Sequence, residues 1–337
     1  MNMNLSQIKK ITLGVLDITL KDGYFAFSRF NNAQMSDFNK RGETFLKRAN
    51  STSSVKLEFY TRGGNISFDY MIIPGTNREY YSIDILSDGI YLYNVSADNS
   101  SDISSFDFNI PFSDTEQRIT VYFPTTAGMR IKNLSLPEDY SPHKRKNKIL
   151  VLGDSKYQGY YPNHFQNTCM NIVSDYFNAQ MINQSIGGEC FNPDNIYELD
   201  FHPDIIIVGY GVNDLYSGRL KNGENADAFF EKLQKIYNNI PAVFFLPNDN
   251  KFLEGKGKNE DIIYDQENNK TPKTINDLRI FLEKISSKYK NVITVNAKNF
   301  VPQYRECFYG DNVHFTDLGN ILCGREMSAA IAEIYQP

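Results

Sequence analysis

Continuously apolar runs in the second half of the chain limit most strongly what this sequence can fold into. They lie at 149–152, 205–208 and 243–246, and two further strand candidates that include polar residues lie at 181–186 and 292–295. A strand that is apolar at every position is buried on both faces, which is typical of a parallel sheet covered by helices. Helix-length segments separate the runs, at 162–177, 224–238, 273–288 and 316–334. The pattern therefore predicts a three-layer α/β/α domain over residues 148–337.

The first 140 residues have a different pattern. Short β-branched and aromatic segments follow one another, and several alternate between apolar and polar residues, as at 55–59. Turn formers such as Asp22-Gly23 separate many of them, as hairpins require. We expect one strand to span 11–20 and helix to occur only over 34–49. Many short strands at this spacing predict an antiparallel, jelly-roll-like β-sandwich over residues 1–140.

Length and two polar stretches fit this division. A chain of 337 residues exceeds the usual size of a single hydrophobic core, so two domains are expected. Residues 141–147 are polar and basic and are predicted to be a linker between the domains. Residues 248–271 form the one long polar stretch of the second half and are predicted to be a surface loop or flap.

Charge and hydropathy exclude several classes of partner. The formal net charge of -5 gives no electrostatic reason to expect nucleic acid or an anionic membrane. No apolar run approaches the ~20 residues needed to span a bilayer. The amino-terminal apolar stretch is broken by Gly14 and Asp17, and no signal-peptide cleavage site follows it. We expect a cytoplasmic protein, or a secreted one if a leader has been removed.

Chemically active residues follow the predicted strands at the ends where parallel α/β sheets bind ligands. Ser155, Gly188 and Asn213 follow the first three strands, and Asp311 and His314 precede the last helix. A serine hydroxyl is a poor nucleophile until a base takes its proton, and His314, oriented by Asp311, is the candidate base. The backbone N–H groups of Ser155 and Gly188 with the Asn213 amide would stabilise an oxyanion. This set predicts acyl transfer.

Residues beside the candidate nucleophile are candidate substrate contacts. Lys156 could attract an anionic substrate, or it could pair with Asp154 or solvent. Tyr157, Tyr160 and Tyr161 could line a sugar subsite, or they could pack in the protein interior.

The other polar candidates have simpler explanations. His164 follows Ser155 closely enough to approach the cleft, but a surface position at a helix start is the commoner reading. Asp214 is expected to hydrogen-bond loop backbone. The sequence predicts no cofactor, because Gly209-Tyr210-Gly211 lacks the third glycine of a dinucleotide loop and nothing resembles a Walker A loop. It predicts no metal site, because nothing resembles a His/Cys/carboxylate cluster. Four cysteines without C-x-x-C spacing are predicted to be buried free thiols: Cys169, Cys190, Cys307 and Cys323.

The site residues lie in sequence blocks that resemble those of the SGNH hydrolases, also called GDSL esterases. The blocks are GDS at 153–155, NQSIGG at 183–188, GVND at 211–214 and DNVH at 311–314, in family order. The resemblance covers roughly residues 148–337 and implies a flavodoxin-like fold. It also implies that Ser155, Gly188, Asn213 and His314 are the residues that name the family, with Asp311 as the third triad member.

One segment outside these blocks is similar to proteins of the superfamily, and one residue beside the serine is not. Residues 121–137 are loosely similar to the β-sandwich that precedes the catalytic domain in some bacterial carbohydrate esterases of this superfamily. Lys156 departs from the family pattern, which usually has an aliphatic or small polar residue after the serine.

These observations predict a serine esterase that removes small acyl groups through an acyl-enzyme intermediate. Acetyl esters of carbohydrates are the expected substrates, as small molecules or oligosaccharides. One alternative is a lipase or lysophospholipase acting on longer acyl chains. Another is a carbohydrate-binding protein whose hydrolase half is vestigial. The sequence leaves the acylated sugar, the acyl chain length and the oligomeric state open.

Overall fold

A computed structural model gives the fold of the chain. It describes residues 3–76, 78, 80–98, 102–220, 222–249, 272 and 274–336. The chain divides into two compact units. The first comprises Met1–Lys146, Asn163–Gln166 and Gln180–Asn183, and the second comprises Asn147–Pro162, Asn167–Ala179 and Gln184–Pro337.

Antiparallel strands dominate the first unit. In chain order they are β1 (Thr12–Leu13), β2 (Asp17–Lys21), β3 (Tyr24–Ser28), β4 (Lys56–Thr61), β5 (Gly64–Ile73), β6 (Tyr81–Ser87), β7 (Ile90–Ala97), β8 (Ile103–Ile110), β9 (Gln117–Tyr122), β10 (Gly128–Ser135) and β11 (Ser141–Pro142). One sheet has the order β1-β4-β9-β6-β7, with β11 also paired to β4. The other has the order β2-β3-β10-β5-β8.

The two sheets of the first unit share one hydrophobic core. Along β5, Ile66, Phe68 and Tyr70 are buried at alternate positions, as the period of a strand with one covered face requires. They belong to the same buried cluster as Leu57 and Phe59 of β4, which lies in the other sheet. Two antiparallel sheets around a common core confirm the predicted β-sandwich.

The start of the sandwich differs from the prediction. One strand was expected over 11–20, but residue 11 is the last residue of helix α1 (Leu5–Ile11). The expectation of a single strand is therefore wrong. The chain turns at Gly14, which has a φ of +85° and lies so close to Ser54 that a Cβ would be 2.3 Å from the Ser54 carbonyl oxygen. β1 and β2 therefore belong to different sheets.

The predicted helix over 34–49 is confirmed as two helices. They are α2 (Asn32–Arg41) and α3 (Glu43–Ala49). Gly42, with a φ of +115°, separates them.

The segment predicted to be a linker is bound to β4. Ser141 and Pro142 pair with Tyr60 and Phe59 of that strand as β11. Arg145 Nε donates to the Glu58 carboxylate at 2.7 Å, and a second guanidinium nitrogen donates to the other carboxylate oxygen. Both side chains are at most 1% exposed, so the ion pair is buried.

A further sheet has five strands, four of which lie wholly in the second unit. Its strands are β12 (Asn147–Gly153), β13 (Ala179–Asn183), β14 (Ile205–Gly209), β15 (Ala242–Leu246) and β16 (Val292–Asn296), in the order β13-β12-β14-β15-β16. The pairs β12–β14, β14–β15 and β15–β16 are parallel. Numbered within this sheet, the order is 2-1-3-4-5, which is the flavodoxin-like order.

Helices accompany this sheet as the sequence predicted. They are α4 (Ser155–Gln158), α5 (Cys169–Tyr176), α6 (Val212–Tyr216), α7 (Glu224–Ile236), α8 (Ile275–Ser286) and α9 (Asp317–Ile334). Every residue of β14 is buried, as expected for a strand covered on both faces. The three-layer α/β fold is confirmed, although the short helices α4 and α6 were not predicted as separate elements.

The predicted loop, the cysteines and the possibility of a membrane span remain to be compared with the structure. Most of the loop predicted over 248–271 lies outside the described residues, which end at 249 and resume at 272. All four cysteines are buried free thiols, as predicted. In the described part of the chain, no helix is both long and apolar enough to cross a membrane.

Candidate active site

Ser155 stands where the first strand of the parallel sheet ends. β12 ends at Gly153, and the Asp154 side chain caps α4, of which Ser155 is the first residue. A Cβ on Gly153 would lie 2.8 Å from the Cβ of Tyr157. A larger residue would therefore push the strand end and the helix apart. Glycine at this point lets the serine follow directly on the sheet edge, where it is 8% exposed.

Ser155, His314 and Asp311 form one chain of hydrogen bonds. The Nε2 atom of His314 lies 2.7 Å from the Ser155 Oγ. The Nδ1 atom of the same ring lies 2.6 Å from the Asp311 Oδ2. The serine thus has a base within reach of its proton, and the base has a carboxylate that fixes its orientation. Acyl transfer by an activated serine needs this arrangement.

Hydrogen bonds keep Asp311 ionised. Its Oδ1 atom accepts the backbone N–H groups of Val313 and His314, at 2.9 Å and 3.0 Å. Burial raises the pKa of Asp311, but the His314 ring and these two donors outweigh burial and lower that pKa to about 2. At neutral pH the carboxylate is therefore charged, and it can stabilise a positive charge on His314 during proton transfer.

The predicted oxyanion donors are available for a ligand. The backbone N–H groups of Ser155 and Gly188 have no hydrogen-bond partner among the described residues. Asn213 donates from Nδ2 to the Glu189 carbonyl at 2.9 Å, which ties its side chain to the residue after Gly188. The loop is also bound to the end of β12, because the Ile186 N–H donates to the Gly153 carbonyl at 2.9 Å.

Asp214 has the structural role expected from the sequence. It is fully buried, and both its carboxylate oxygens accept the Phe191 N–H, at 3.1 Å and 3.2 Å. This bond links the loop after β14 to the loop after β13. Burial raises the pKa of Asp214 to about 7 against the opposing effect of the Phe191 bond. Cys190 belongs to the loop after β13, and burial raises its thiol pKa to about 12, so the thiol is protonated at neutral pH.

Lys156 and Tyr157 make contacts inside the protein. The Lys156 ammonium lies 5.0 Å from the centre of the Phe315 ring, which is buried. Burial lowers the pKa of this lysine, and Asp154 partly opposes the effect. The Tyr157 ring covers Gly209, where a Cβ would lie 2.0 Å from the ring. A role in substrate binding remains a prediction for both residues.

Aromatic rings surround His314. Tyr160, which is 3% exposed, stacks on the imidazole with ring centres 5.5 Å apart. Tyr161 lies 5.0 Å from the imidazole centre and stacks on Tyr309 at 4.2 Å. The Tyr309 N–H donates to the His314 carbonyl at 2.8 Å. Tyr309 was not predicted as a site residue, although it lies only five positions before the histidine.

Two other histidines contact carboxylates of the first unit. His164 belongs to the first unit, where its Nδ1 is 3.4 Å from the Asp84 carboxylate. His143 also belongs to the first unit and lies 3.5 Å from Glu58. No group of three or more His, Cys, Asp or Glu side chains suited to a metal ion occurs in the described ranges. His314 is thus the histidine that the structure brings to Ser155.

Comparison with solved structures shows a fold shared along almost the whole chain. A salicylyl-acyltransferase, SsfX3, from a tetracycline biosynthetic pathway is 16% identical with a TM-score of 0.78, covering 96% of this chain and 94% of that one. A putative GDSL-like lipase from Bacteroides ovatus is 14% identical with a TM-score of 0.72, covering 99% and 97%. The acetyl xylan esterase Est2A from the rumen bacterium Butyrivibrio proteoclasticus is 12% identical with a TM-score of 0.61, covering 99% of both chains.

Sequence comparison identifies the family. A search of curated proteins found no match. The family model described as GDSL-like lipase/acylhydrolase matches residues 149–327, which is more than half of the chain. This range contains all three residues of the hydrogen-bonded chain at Ser155. The protein is therefore a member of the GDSL-like lipase/acylhydrolase family.

Proposed function

We propose that the protein is a serine esterase that hydrolyses small acyl esters, above all acetyl esters of carbohydrates, through an acyl-enzyme intermediate. One observation carries the proposal: hydrogen bonds of 2.7 Å and 2.6 Å connect Ser155 through His314 to Asp311. Family membership supports the ester hydrolase part. The structural likeness to an acetyl xylan esterase supports the choice of acetylated carbohydrate.

The geometry suits a two-step reaction. In the first step Ser155 Oγ attacks the ester carbonyl carbon while His314 Nε2 takes the hydroxyl proton, and the carbonyl oxygen becomes negatively charged. The N–H groups of Ser155 and Gly188 and the Asn213 amide stabilise that charge. His314 then gives its proton to the leaving alcohol, which departs and leaves the acyl-enzyme.

Water completes the reaction in the second step. His314 takes a proton from the water molecule, whose oxygen attacks the acyl carbon. The same donors stabilise the second tetrahedral intermediate. Proton return to Ser155 Oγ then releases the carboxylic acid and restores the enzyme. Each step thus uses His314 once as a base and once as an acid.

The aromatic rings beside His314 support a carbohydrate substrate. Tyr309 is 41% exposed and Tyr161 stacks flat against it, which gives the site a broad aromatic surface. Ligand sites are commonly lined by such rings with a few oriented polar groups. A sugar ring presents apolar C–H groups on its faces and hydroxyl groups at its edge. It would match an aromatic surface next to polar catalytic groups.

Hydrolysis of p-nitrophenyl acetate, butyrate and octanoate tests the proposed reaction. We expect kcat/KM to fall steeply with acyl chain length and Ser155→Ala to be inactive. Ser328→Ala is the matched control, because Ser328 is a buried serine on α9 that bonds the Gly324 carbonyl. Rates that rise with chain length would favour the lipase alternative. Hydrolysis by Ser155→Ala at the wild-type rate would overturn the serine mechanism. Absence of hydrolysis by the wild-type protein would favour the carbohydrate-binding alternative.

Acetylated xylo-oligosaccharides test the carbohydrate part. Removal of one ring with Tyr309→Leu is expected to raise KM for acetate release from these substrates about 10-fold. The same substitution should change KM for p-nitrophenyl acetate much less, because that substrate has no sugar ring. Equal effects on both substrates would contradict a sugar contact at Tyr309.

A further inference from the structure

The side chain of Gln158 connects the helix of the nucleophile to the loop that carries Gly188. Gln158 is the last residue of α4, three positions after Ser155, and it is fully buried. Its Oε1 atom accepts the backbone N–H of Gly187 at 2.7 Å. The bond joins a buried side-chain acceptor to a buried backbone donor, and it therefore holds the two segments together.

Gly187 and Gly188 are the central residues of a tight turn. The Glu189 N–H donates to the Ile186 carbonyl at 3.1 Å, which closes the turn. Gly188, the third residue, has a φ of +75°, whereas Gly187 does not have a positive φ. This combination defines a type II turn. In a type I turn the central peptide is turned over, so the Gly188 N–H would point to the opposite side.

A second contact holds Gly187 from the other direction. The Tyr160 ring lies so close that a Cβ on Gly187 would be 2.5 Å from its hydroxyl oxygen. The same ring stacks on His314. Gly187 thus lies between a hydrogen-bond acceptor and a buried ring, both from the segment that follows Ser155. Movement of Gly187 away from the segment that follows Ser155 would have to occur against both contacts.

We propose that Gln158 is a positioning residue for the oxyanion-stabilising N–H of Gly188. By bonding Gly187, it anchors the 186–189 turn to the helix of Ser155, so that the adjacent Gly188 N–H keeps the position seen here. The inference rests on the proposed function, because this N–H stabilises an oxyanion only if the site performs acyl transfer. Gln158 itself acts through the turn.

Kinetics of Gln158→Met provide the first test. Methionine has a similar length but no strong acceptor, so the turn loses its bond while the volume is nearly kept. We expect kcat for p-nitrophenyl acetate to fall about 10- to 100-fold while KM changes less than about 3-fold, because the affected donor acts in the transition state. Gln158→Glu keeps an oxygen at the same position and is expected to recover part of kcat.

A small alkylboronic acid provides a second readout. It forms a tetrahedral adduct on an active serine and so resembles the transition state. Its inhibition constant is expected to rise in Gln158→Met by about the factor that kcat falls. Gln117→Met is the matched control, because Gln117 is a buried glutamine of the sandwich that accepts from Ser87 at 2.6 Å. That variant should lose stability but retain kcat and boronate affinity.

Hydrogen exchange of the peptide covering 184–190 separates this inference from the proposed function. Exchange should be faster in Gln158→Met and unchanged in Gln117→Met, whether or not the protein is an esterase. If Gln158→Met had the same kcat, boronate affinity and exchange rate as the wild-type protein, the proposed role of Gln158 would be overturned. A wild-type protein without Ser155-dependent hydrolysis would overturn the proposed function instead. Unchanged exchange overturns the positioning role in either case.

Discussion

Among single residues, His314 carries most of the proposed chemistry, because it bonds both Ser155 and Asp311. His314→Ala is expected to lower kcat for p-nitrophenyl acetate by about 10⁴-fold or more, since the serine loses its base. His164→Ala is the control, because His164 bonds Asp84 in the first unit. Similar losses in both variants would contradict the assignment of the base.

Residue chemistry explains which parts of the site could be predicted. Ser155, Asp311 and His314 are recognisable because only a few residue types can supply a nucleophile, a base and an orienting carboxylate. The sequence also placed Tyr160 near the site, since it lies five positions after Ser155. It could not show that the ring packs on Gly187 and His314, because both partners are distant in the chain.

Among local elements, the 186–189 turn sets the strictest backbone requirement. Gly188→Ala places a side chain at a φ of +75° and is expected to cost about 1 kcal/mol of stability. It should also lower kcat at least 10-fold, because relief of the strain turns the N–H that serves the oxyanion. Thermal unfolding and p-nitrophenyl acetate kinetics measure the two effects.

Gly218→Ala is the control for the backbone effect of Gly188→Ala. Gly218 has a φ of +67°, and a Cβ there would meet no atom within 4 Å. The variant should lose a similar amount of stability with wild-type kcat. A Gly188→Ala enzyme that is destabilised to the same extent but fully active would exclude a catalytic role for this turn.

The link between the two loops at Asp214 makes stability depend on pH. Burial raises the pKa of this carboxyl from 3.8 to about 7, so the folded state binds a proton that the unfolded state has released. The contribution of this carboxyl to stability is therefore expected to be fully present below about pH 4 and to decline as pH rises to about 7. At about 1.4 kcal/mol per pKa unit, the decline is at most about 4 kcal/mol.

Asp214→Asn isolates this contribution. The amide keeps an oxygen for the Phe191 N–H but does not ionise, so the decline between pH 4 and pH 7 should be smaller in the variant. Urea unfolding followed by circular dichroism at several pH values measures the difference. Parallel stability profiles for the two proteins would show that the carboxyl titrates as it does in the unfolded chain.

Element boundaries show where local sequence signals end. The helices α7, α8 and α9 were predicted because each fills a helix-length segment next to a predicted strand. Helix α1 was missed because it has only seven residues, although Asn4 and Gln7 form a capping box that marks its start. The break at Gly14 depends on the carbonyl of Ser54, which is forty residues away and invisible to local patterns.

For the whole molecule, length and pattern predict two domains, but they do not predict the packing of the segment at 141–147. The alternation at 55–59 predicts exposed charges at Lys56 and Glu58, yet they are 1% and 0% exposed. Lys56 lies 4.9 Å from the Tyr122 ring centre, and Glu58 pairs with Arg145. The segment at 141–147 was predicted to be a linker because it is basic and polar. Its acidic partner Glu58 lies 87 positions before Arg145, so the local sequence does not show that the segment is bound.

Loss of one partner of the buried Arg145–Glu58 pair should therefore destabilise the first unit strongly. Arg145→Ala leaves a buried carboxylate without its cation and is expected to cost about 3–5 kcal/mol of unfolding free energy. Lys144→Ala, next to it and exposed, should change stability by about 0.5 kcal/mol or less. Glu58→Gln in the Arg145→Ala background should recover part of the loss, because it removes the unpaired charge.

Circular dichroism suits these unfolding measurements, since the chain has no tryptophan to report by fluorescence. Hydrogen exchange of the β4 peptide gives a local readout for the same variants, because Glu58 lies in that strand. We expect faster exchange in Arg145→Ala, because the buried Glu58 carboxylate loses its cation. Glu58→Gln in the same background should partly reverse the increase. Equal stability of the Arg145→Ala and Lys144→Ala proteins would mean that water reaches Glu58 as soon as the arginine is gone.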